Sequence, residues 1–485
     1  MTRLFSLAWA FGIMLMVFSA AYTLPILTAW ISRDGTAPLF IRDLLLTFTL
    51  GGSLWTLSKD RMRELKAKDG FILVLLGWTG VAAIAALPLL GSLPELSFTD
   101  AYFESMSGLS TTGATVLSNV DFLPPALNLW RHELHWLGGM SIIVLAVAIL
   151  PILGVGGRQV FMSETPGPMR DSKLTPRIAE TVKNLWSIYA GLTAACILAL
   201  KLAGMTWFDA ICHAFSTLGL GGFSTHGENV RFYDSPAIEG VLMLFMLLAG
   251  MNFATHFLAV RNRSLAPYRY DVEAKPYLAL ILGSCLGLAG YLVQLEVYPD
   301  FWESLRYAAF NTISIATDCG FSNTDYARWP AFAPLWMLFL ACVTVCTGST
   351  GGGIKMMRTL ILAKQSQSQM FLLNHPTAVY PLKLGKMIVP SNVQLAVLGF
   401  IFVYFMSIVS LTLVLVVSGL DFVSAFTAIV SCLNNAGPGL GEVGPTTNYA
   451  DLDDFQTWVC TLAMFLGRME ILTAFVVLTP TFWRN

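Results

Sequence analysis

Four short stretches of this 485-residue chain end alike, on a glycine set among small polar residues. They read STTGAT at 110–115, LGLGGFST at 218–225, ATDCGFSNTD at 316–325 and SCLNNAGPG at 431–439. No nucleophile–base set and no cluster of metal ligands accompanies them, so the chemistry they offer is that of the backbone. Glycine permits backbone angles that turn carbonyl oxygens inward, and a ring of carbonyls can replace the water around a cation. Each stretch follows an amphipathic segment that opens on an acidic residue near an aromatic: Asp100, Asp209, Glu303 and Asp421. That pattern predicts a short helix, with an anion in its first turn and the partly negative C-terminal end aimed at a cation. From these acids to the closing glycines Gly113, Gly222, Gly320 and Gly437 the spacing is 13, 13, 17 and 16 residues, so the four copies are divergent.

The elements that must hold these turns are membrane spans. The chain is 55% hydrophobic and 12% charged, whereas soluble chains carry about 25% charged residues. Apolar runs near the ~20 residues that cross a bilayer occur at 5–30, 71–90, 134–153, 185–202, 240–260, 278–295, from 335 to 345 and beyond, 393–417 and 458–478. A weaker one at 39–57 has Arg42 and Asp43 near its start. The first run is longer than a signal-peptide core and is expected to stay as a helix. All eight cysteines lie in or beside apolar segments without a CxxC pair, and read as small buried residues instead of disulfides or a zinc site.

The expected fold is therefore an all-α polytopic membrane protein. Two leading spans occupy residues 1–66. Four span–pore-loop–span repeats follow at 67–178, 179–272, 273–388 and 389–485, arranged around a pseudo-fourfold central pore. Four clusters at 59–68, 158–183, 261–275 and 355–386 hold 19 of the 29 basic residues. The loops between them are acidic, with Glu95, Asp121, Glu228, Asp234, Glu296, Asp300, Glu442, Asp451, Asp453 and Asp454. The positive-inside bias puts the basic clusters in the cytoplasm, although Arg33 and Arg42 fall in a loop this scheme makes external. An acidic outer face concentrates cations at a pore mouth. The formal net charge of −1 gives no reason to expect a nucleic-acid partner.

Two further features belong to this frame. TGSTGGGIK at 347–355 places Gly348, Ser349, Thr350, Gly351, Gly352 and Gly353 at membrane depth, where glycines break a helix. It has neither the Ser or Thr after Gly-Lys nor the preceding strand of a nucleotide-binding P-loop. A flexible intramembrane loop beneath the filter is the functional reading, and a close helix crossing through small residues the structural one. Arg468 and Glu470 lie in the last apolar run, where an unpaired charge costs several kcal/mol. Residues two apart on a helix face different ways, so Arg468 is expected to find its partner elsewhere, near the glycine loop. His132, Glu133 and His135 read HELH without the spacer of a zinc helix and are expected to cap or pack. His213 is expected to pack on the second short helix, and His256 and Asn252 to hydrogen-bond between helices, while Cys342 and Cys346 are expected as core neighbours on one helix.

The four glycine motifs resemble those of the Trk/Ktr/HKT superfamily of K+ transporters, most closely its TrkH branch, and the similarity runs the length of the chain. The resemblance implies a K+ filter built from the carbonyls of Thr111 and Thr112, Leu220 and Gly221, Asp318 and Cys319, and Asn435 and Ala436. Gly113, Gly222, Gly320 and Gly437 would close the turns. In that family glycine goes with K+, with Rb+ also passing, and serine in the first repeat with Na+. No TVGYG string is present, so a shorter filter is expected, and the Asp318 side chain should point away from the axis. The resemblance also favours a gate at 348–353, and Arg468, read beside it from its intramembrane charge, is expected to form an electrostatic barrier to K+. The resemblance further implies a homodimer and a soluble nucleotide-binding subunit (TrkA-like) on the cytoplasmic face of a bacterial inner membrane, with the filter mouth outside. No covalent cofactor and no enzymatic activity is expected; K+ is the transported ion. The rival reading is a K+/H+ or K+/Na+ coupled secondary transporter with an occluded midplane site.

Overall fold

The computed structural model describes residues 2–60, 65, 67–153, 178–385, 387–469 and 471–484. Arg61, Arg63, Lys66, Arg158, Arg170, Lys173, Arg177, Lys386 and Glu470, all used above, lie outside the described residues. Within them the regular structure is helical, apart from a two-residue antiparallel ladder pairing Lys383–Leu384 with Met387–Ile388.

Among the described residues, six helical segments are long and apolar enough to cross a membrane: Arg3–Ser32, Ala37–Ser58, Lys68–Ser92, Val182–Leu202, Ala274–Gln294 and Ser391–Val417. Their outer faces carry exposed apolar side chains, as on the last of them with Leu395, Phe402, Leu413 and Val417. In water that surface would be a liability; against hydrocarbon it is the expected one. Inside, Trp130 stacks on Tyr22 at 4.7 Å between ring centroids and meets Phe40 edge-on, tying the leading hairpin to the 29-residue helix Pro125–Leu153. The same apolar core continues to Met464 and Phe465 near the C-terminus.

Three of the expected straight spans are broken. The run 240–260 is two helices, Pro236–Ala249 and Phe253–Asn262, bent by 97°. Asn252 explains the break: its side chain accepts from the Ala254 amide and caps a new helix, which requires non-helical angles at the cap. The run from 335 stops as a helix at Val343 and resumes only at Met356. Cys342 and Cys346 are therefore not neighbours on one helix. The last run divides into Asp454–Arg468 and Leu472–Leu478.

Candidate ion-binding site and intramembrane loop

The four amphipathic segments form the short helices Phe98–Ser110, Trp207–Gly219, Phe301–Ala316 and Phe422–Asn434. Each begins on a side-chain cap. Ser97 accepts from the Asp100 amide, Thr206 from that of Asp209, Asp300 from Trp302, and Asp421 from Val423 and Ser424. A cap satisfies amides that have no partner within the helix. Counted from the cap, the spacing to the closing glycine is 16 residues in repeats one, two and four and 20 in repeat three. The fourth repeat looked divergent only because Asp421 is itself the cap, whereas Asp100 and Asp209 sit three residues inside. The third helix has 16 residues against 13 in the others, close to one extra turn.

All four helices end in the same turn. Thr111, Leu220, Asp318 and Asn435 take left-handed angles with φ of 56°, 55°, 62° and 58°. Two residues on, Gly113, Gly222, Gly320 and Gly437 are left-handed again, at 79°, 73°, 84° and 90°. In each turn the amides point back into the helix. Thr111 and Thr112 donate to Gly108 and Ser107, Leu220 and Gly221 to Thr217 and Ser216, Asp318 and Cys319 to Ile315 and Ser314, Asn435 and Ala436 to Cys432 and Ser431. Non-glycine residues held this way cost on the order of 1–3 kcal/mol each and concentrate at functional sites.

The turns abut one another in cyclic order. A Cβ placed on Gly113 would collide with the Gly221 carbonyl oxygen, one on Gly222 with that of Cys319, one on Gly320 with that of Ala436, and one on Gly437 with that of Thr112. So repeat one meets two, two meets three, three meets four, and four returns to one. Among the described residues no hydrogen-bond donor reaches the carbonyls of Thr111, Thr112, Leu220, Gly221, Asp318, Cys319, Asn435 or Ala436. These eight residues are buried, from Thr111 at 1% exposed to Ala436 at 0%. Buried carbonyls without partners are uncommon; eight together form an electron-rich lining fit for a cation.

Behind the first two turns lies a polar scaffold that the sequence reading undervalued. Buried Arg131 pairs with buried Glu104 at 2.7 Å. Glu104 also accepts from the Thr115 hydroxyl and the Val116 amide, just past Gly113. The Arg131 guanidinium lies 4.2 Å from the centre of the Phe223 ring, and His135 stacks on that ring at 4.1 Å. His132 Nδ1 and His135 Nδ1 both bond Ser216 Oγ, at 2.8 and 3.0 Å. The HELH residues thus pack against the second short helix. His213 is bonded to the Asp209 carbonyl and to Ser224 Oγ, holding the chain after Gly222. Arg131, immediately before HELH, was the available signal: a charge beside an apolar run needs a partner. Among the described residues no cluster of His, Cys, Asp or Glu is disposed to bind a metal.

The glycine loop crosses directly against the C-terminal ends of these helices. Thr350 Oγ1 donates to the Leu218 carbonyl at 3.0 Å, and the Gly352 amide donates to Asp318 Oδ2 at 3.0 Å. Gly352 is pressed so closely on the Asn434 carbonyl that a Cβ there would collide with it. Arg468 donates to the Thr350 carbonyl at 2.8 Å and to the Gly138 carbonyl at 2.6 Å. It therefore joins the loop to the Pro125–Leu153 helix of repeat one. Gly348 and Ser349 stand aside from the turns, Gly348 packed on Asn252 and Ser349 bonded to the Cys346 carbonyl, whereas Gly353 lies against the Ala341 and Cys342 carbonyls and close to Asn434 Oδ1 at the end of the fourth short helix. Both ends of the loop are fixed by one buried carboxylate oxygen. Glu273 Oε1 accepts from the Thr347 amide and hydroxyl and from the Met357 amide, at 3.0, 3.1 and 2.8 Å.

Comparison with known proteins agrees with this architecture. A family model described as "Cation transport protein" (TrkH) matches residues 36–284 and 299–483. The Trk system potassium uptake protein TrkH of Salmonella typhimurium is 44% identical over 475 residues, covering 98% of both chains. The Escherichia coli K12 protein named TrkG is 37% identical, over 98% of this chain and 97% of its own. The crystal structure of the potassium transporter TrkH from Vibrio parahaemolyticus superposes with a TM-score of 0.90 at 41% identity, covering 99% of this chain and all of that one. The chain belongs to the TrkH family of cation transport proteins, a family of multi-pass membrane transporters and not of enzymes.

Proposed function

We propose that this member of the TrkH family takes up K+ through a channel-like path formed where its four glycine turns meet around a pseudo-fourfold axis. The observation that carries this reading is the set of eight buried carbonyls, two per turn, with no donor among the described residues. Four helix C-termini converging on them add partial negative charge. K+ is favoured as the ion because the relatives are named potassium uptake proteins and because every turn closes on glycine. Rb+ is expected to permeate with it.

The loop at 347–355 lies under the turns and would close the path, with Arg468 as an electrostatic barrier bound to the loop's own backbone. Opening then requires the Thr350–Leu218, Gly352–Asp318 and Arg468–Thr350 bonds to part together. The four basic clusters, cytoplasmic by the positive-inside bias, support a filter mouth facing out of a bacterial inner membrane. The relatives' "Trk system" names support a multi-component assembly, here a homodimer with a soluble nucleotide-binding subunit on the cytoplasmic side. The test is Rb+ uptake into liposomes holding purified protein, with K+ and Na+ as competitors. Block by K+ at concentrations where Na+ is ineffective is the expected result. Uptake that demands a proton or Na+ gradient would favour the coupled transporter instead, and equal block by both ions would remove the filter assignment.

A further inference from the structure

Within that reading, one residue of the ring does more than lend a carbonyl. Asp318 is the acidic residue among the four that begin the turns, and it is 0% exposed. Its Oδ2 accepts a single hydrogen bond, from the Gly352 amide of the loop. Its Oδ1 is buried and has no hydrogen-bond partner among the described residues. Taking a carboxylate out of water costs several kcal/mol even after relaxation, and one amide hydrogen bond returns only part of that. Lys355 and Arg468 return more through the field, and the Oδ1 atom that they leave without a hydrogen bond is open to a cation or to a proton. The amide donor on Oδ2 favours the charged form, and the ring of donor-free carbonyls, that of Asp318 included, brings cations to this place.

We propose that Asp318 Oδ1 is a side-chain ligand for a partly dehydrated monovalent alkali cation at the loop-facing end of the filter. Lys355 and Arg468 act on the Asp318 carboxylate through the field. Their two positive charges oppose a further cation beside the carboxylate, so the ion is held weakly enough to leave. Because the same carboxylate anchors Gly352, the ion and the loop share one group. Any change that the ion makes in loop position is returned as an equal change that the loop makes in ion affinity.

The proposal rests on the K+ pathway reading, and its test separates the two. K+ binding to purified full-length protein is measured by isothermal titration, for wild type and Asp318→Asn, alongside Rb+ flux. The variant keeps an acceptor for the Gly352 amide and loses the charge. We expect about a tenfold weaker K+ affinity in Asp318→Asn, equivalent to roughly 1.4 kcal/mol. An affinity equal to wild type overturns the ligand role while leaving the pathway standing; a wild type that neither binds nor passes K+ removes both. Should Asp318→Asn fail to fold, an infrared difference spectrum of wild type between K+ and N-methylglucamine decides. A carboxylate band that shifts with K+ supports the site, and a protonated-acid band in both salts contradicts it.

Discussion

At the scale of single residues, the four turn glycines are fixed twice over, by left-handed angles and by a neighbour's carbonyl. Gly222→Ala must meet a left-handed cost of about 1–2 kcal/mol and displace the Cys319 carbonyl as well. We expect Rb+ flux to fall about tenfold or more, since each 1.36 kcal/mol is a factor of ten in rate; liposome flux at matched protein density checks it. Arg468→Ala removes the two bonds to Thr350 and Gly138 and should raise basal flux severalfold. Unchanged flux from correctly folded Arg468→Ala would remove this residue from the gate. The glycines were legible in the sequence because backbone requirements leave a residue-type signature. The scaffold of Arg131 and the two histidines was not, because a side chain's partner across the fold leaves no trace in spacing.

At the scale of elements, the short helices were legible as amphipathic segments, but their equivalence emerged only from their caps. Ser97 and Thr206 precede the acids from which the spacing was counted, and Asp421 does both jobs. The bends were hidden for a related reason: an apolar run reads as one span unless its polar interruption, such as Asn252, is known to cap. The loop's rigidity rests on Glu273. Glu273→Ala leaves the Thr347 and Met357 amides without their acceptor, a loss of about 1–3 kcal/mol per buried donor. It should increase both basal flux and protease cleavage between 344 and 356; cleavage at the wild-type rate would mean that the loop is held by other bonds. Behind the turns, Arg131→Met alone strands a buried carboxylate and should destabilise by about 3–5 kcal/mol. Pairing it with Glu104→Gln should restore most of the melting temperature, and a double variant as unstable as the single one would contradict the ion-pair assignment.

At the scale of the whole molecule, the loops that follow the first two glycine turns are joined by Asp121, which bonds His226 Nδ1 at 2.9 Å and the Gly227 amide at 2.9 Å. Partial burial opposes the charge of Asp121, but the Gly227 amide and His226 outweigh it and hold the carboxyl below its usual range. Its stabilising contribution is therefore fully present above the ordinary aspartate value near ~3.9 and is lost as pH falls through the lowered one. The melting temperature of Asp121→Asn should lie below wild type at neutral pH and converge with it only in acid. A gap that persists at low pH would show that the charge is not its source. Membrane residence was plain from composition, whereas the cyclic order of the four turns required coordinates, since it rests on backbone contacts between residues 97 to 325 positions apart. The most direct measurement is the reversal potential of currents through purified protein in a planar bilayer under K+/Na+ exchange, for wild type and Gly113→Ser. A strongly K+-selective potential that moves toward Na+ in Gly113→Ser is expected. An unmoved potential in that variant would mean that the ring of glycine turns is not where the ion is chosen.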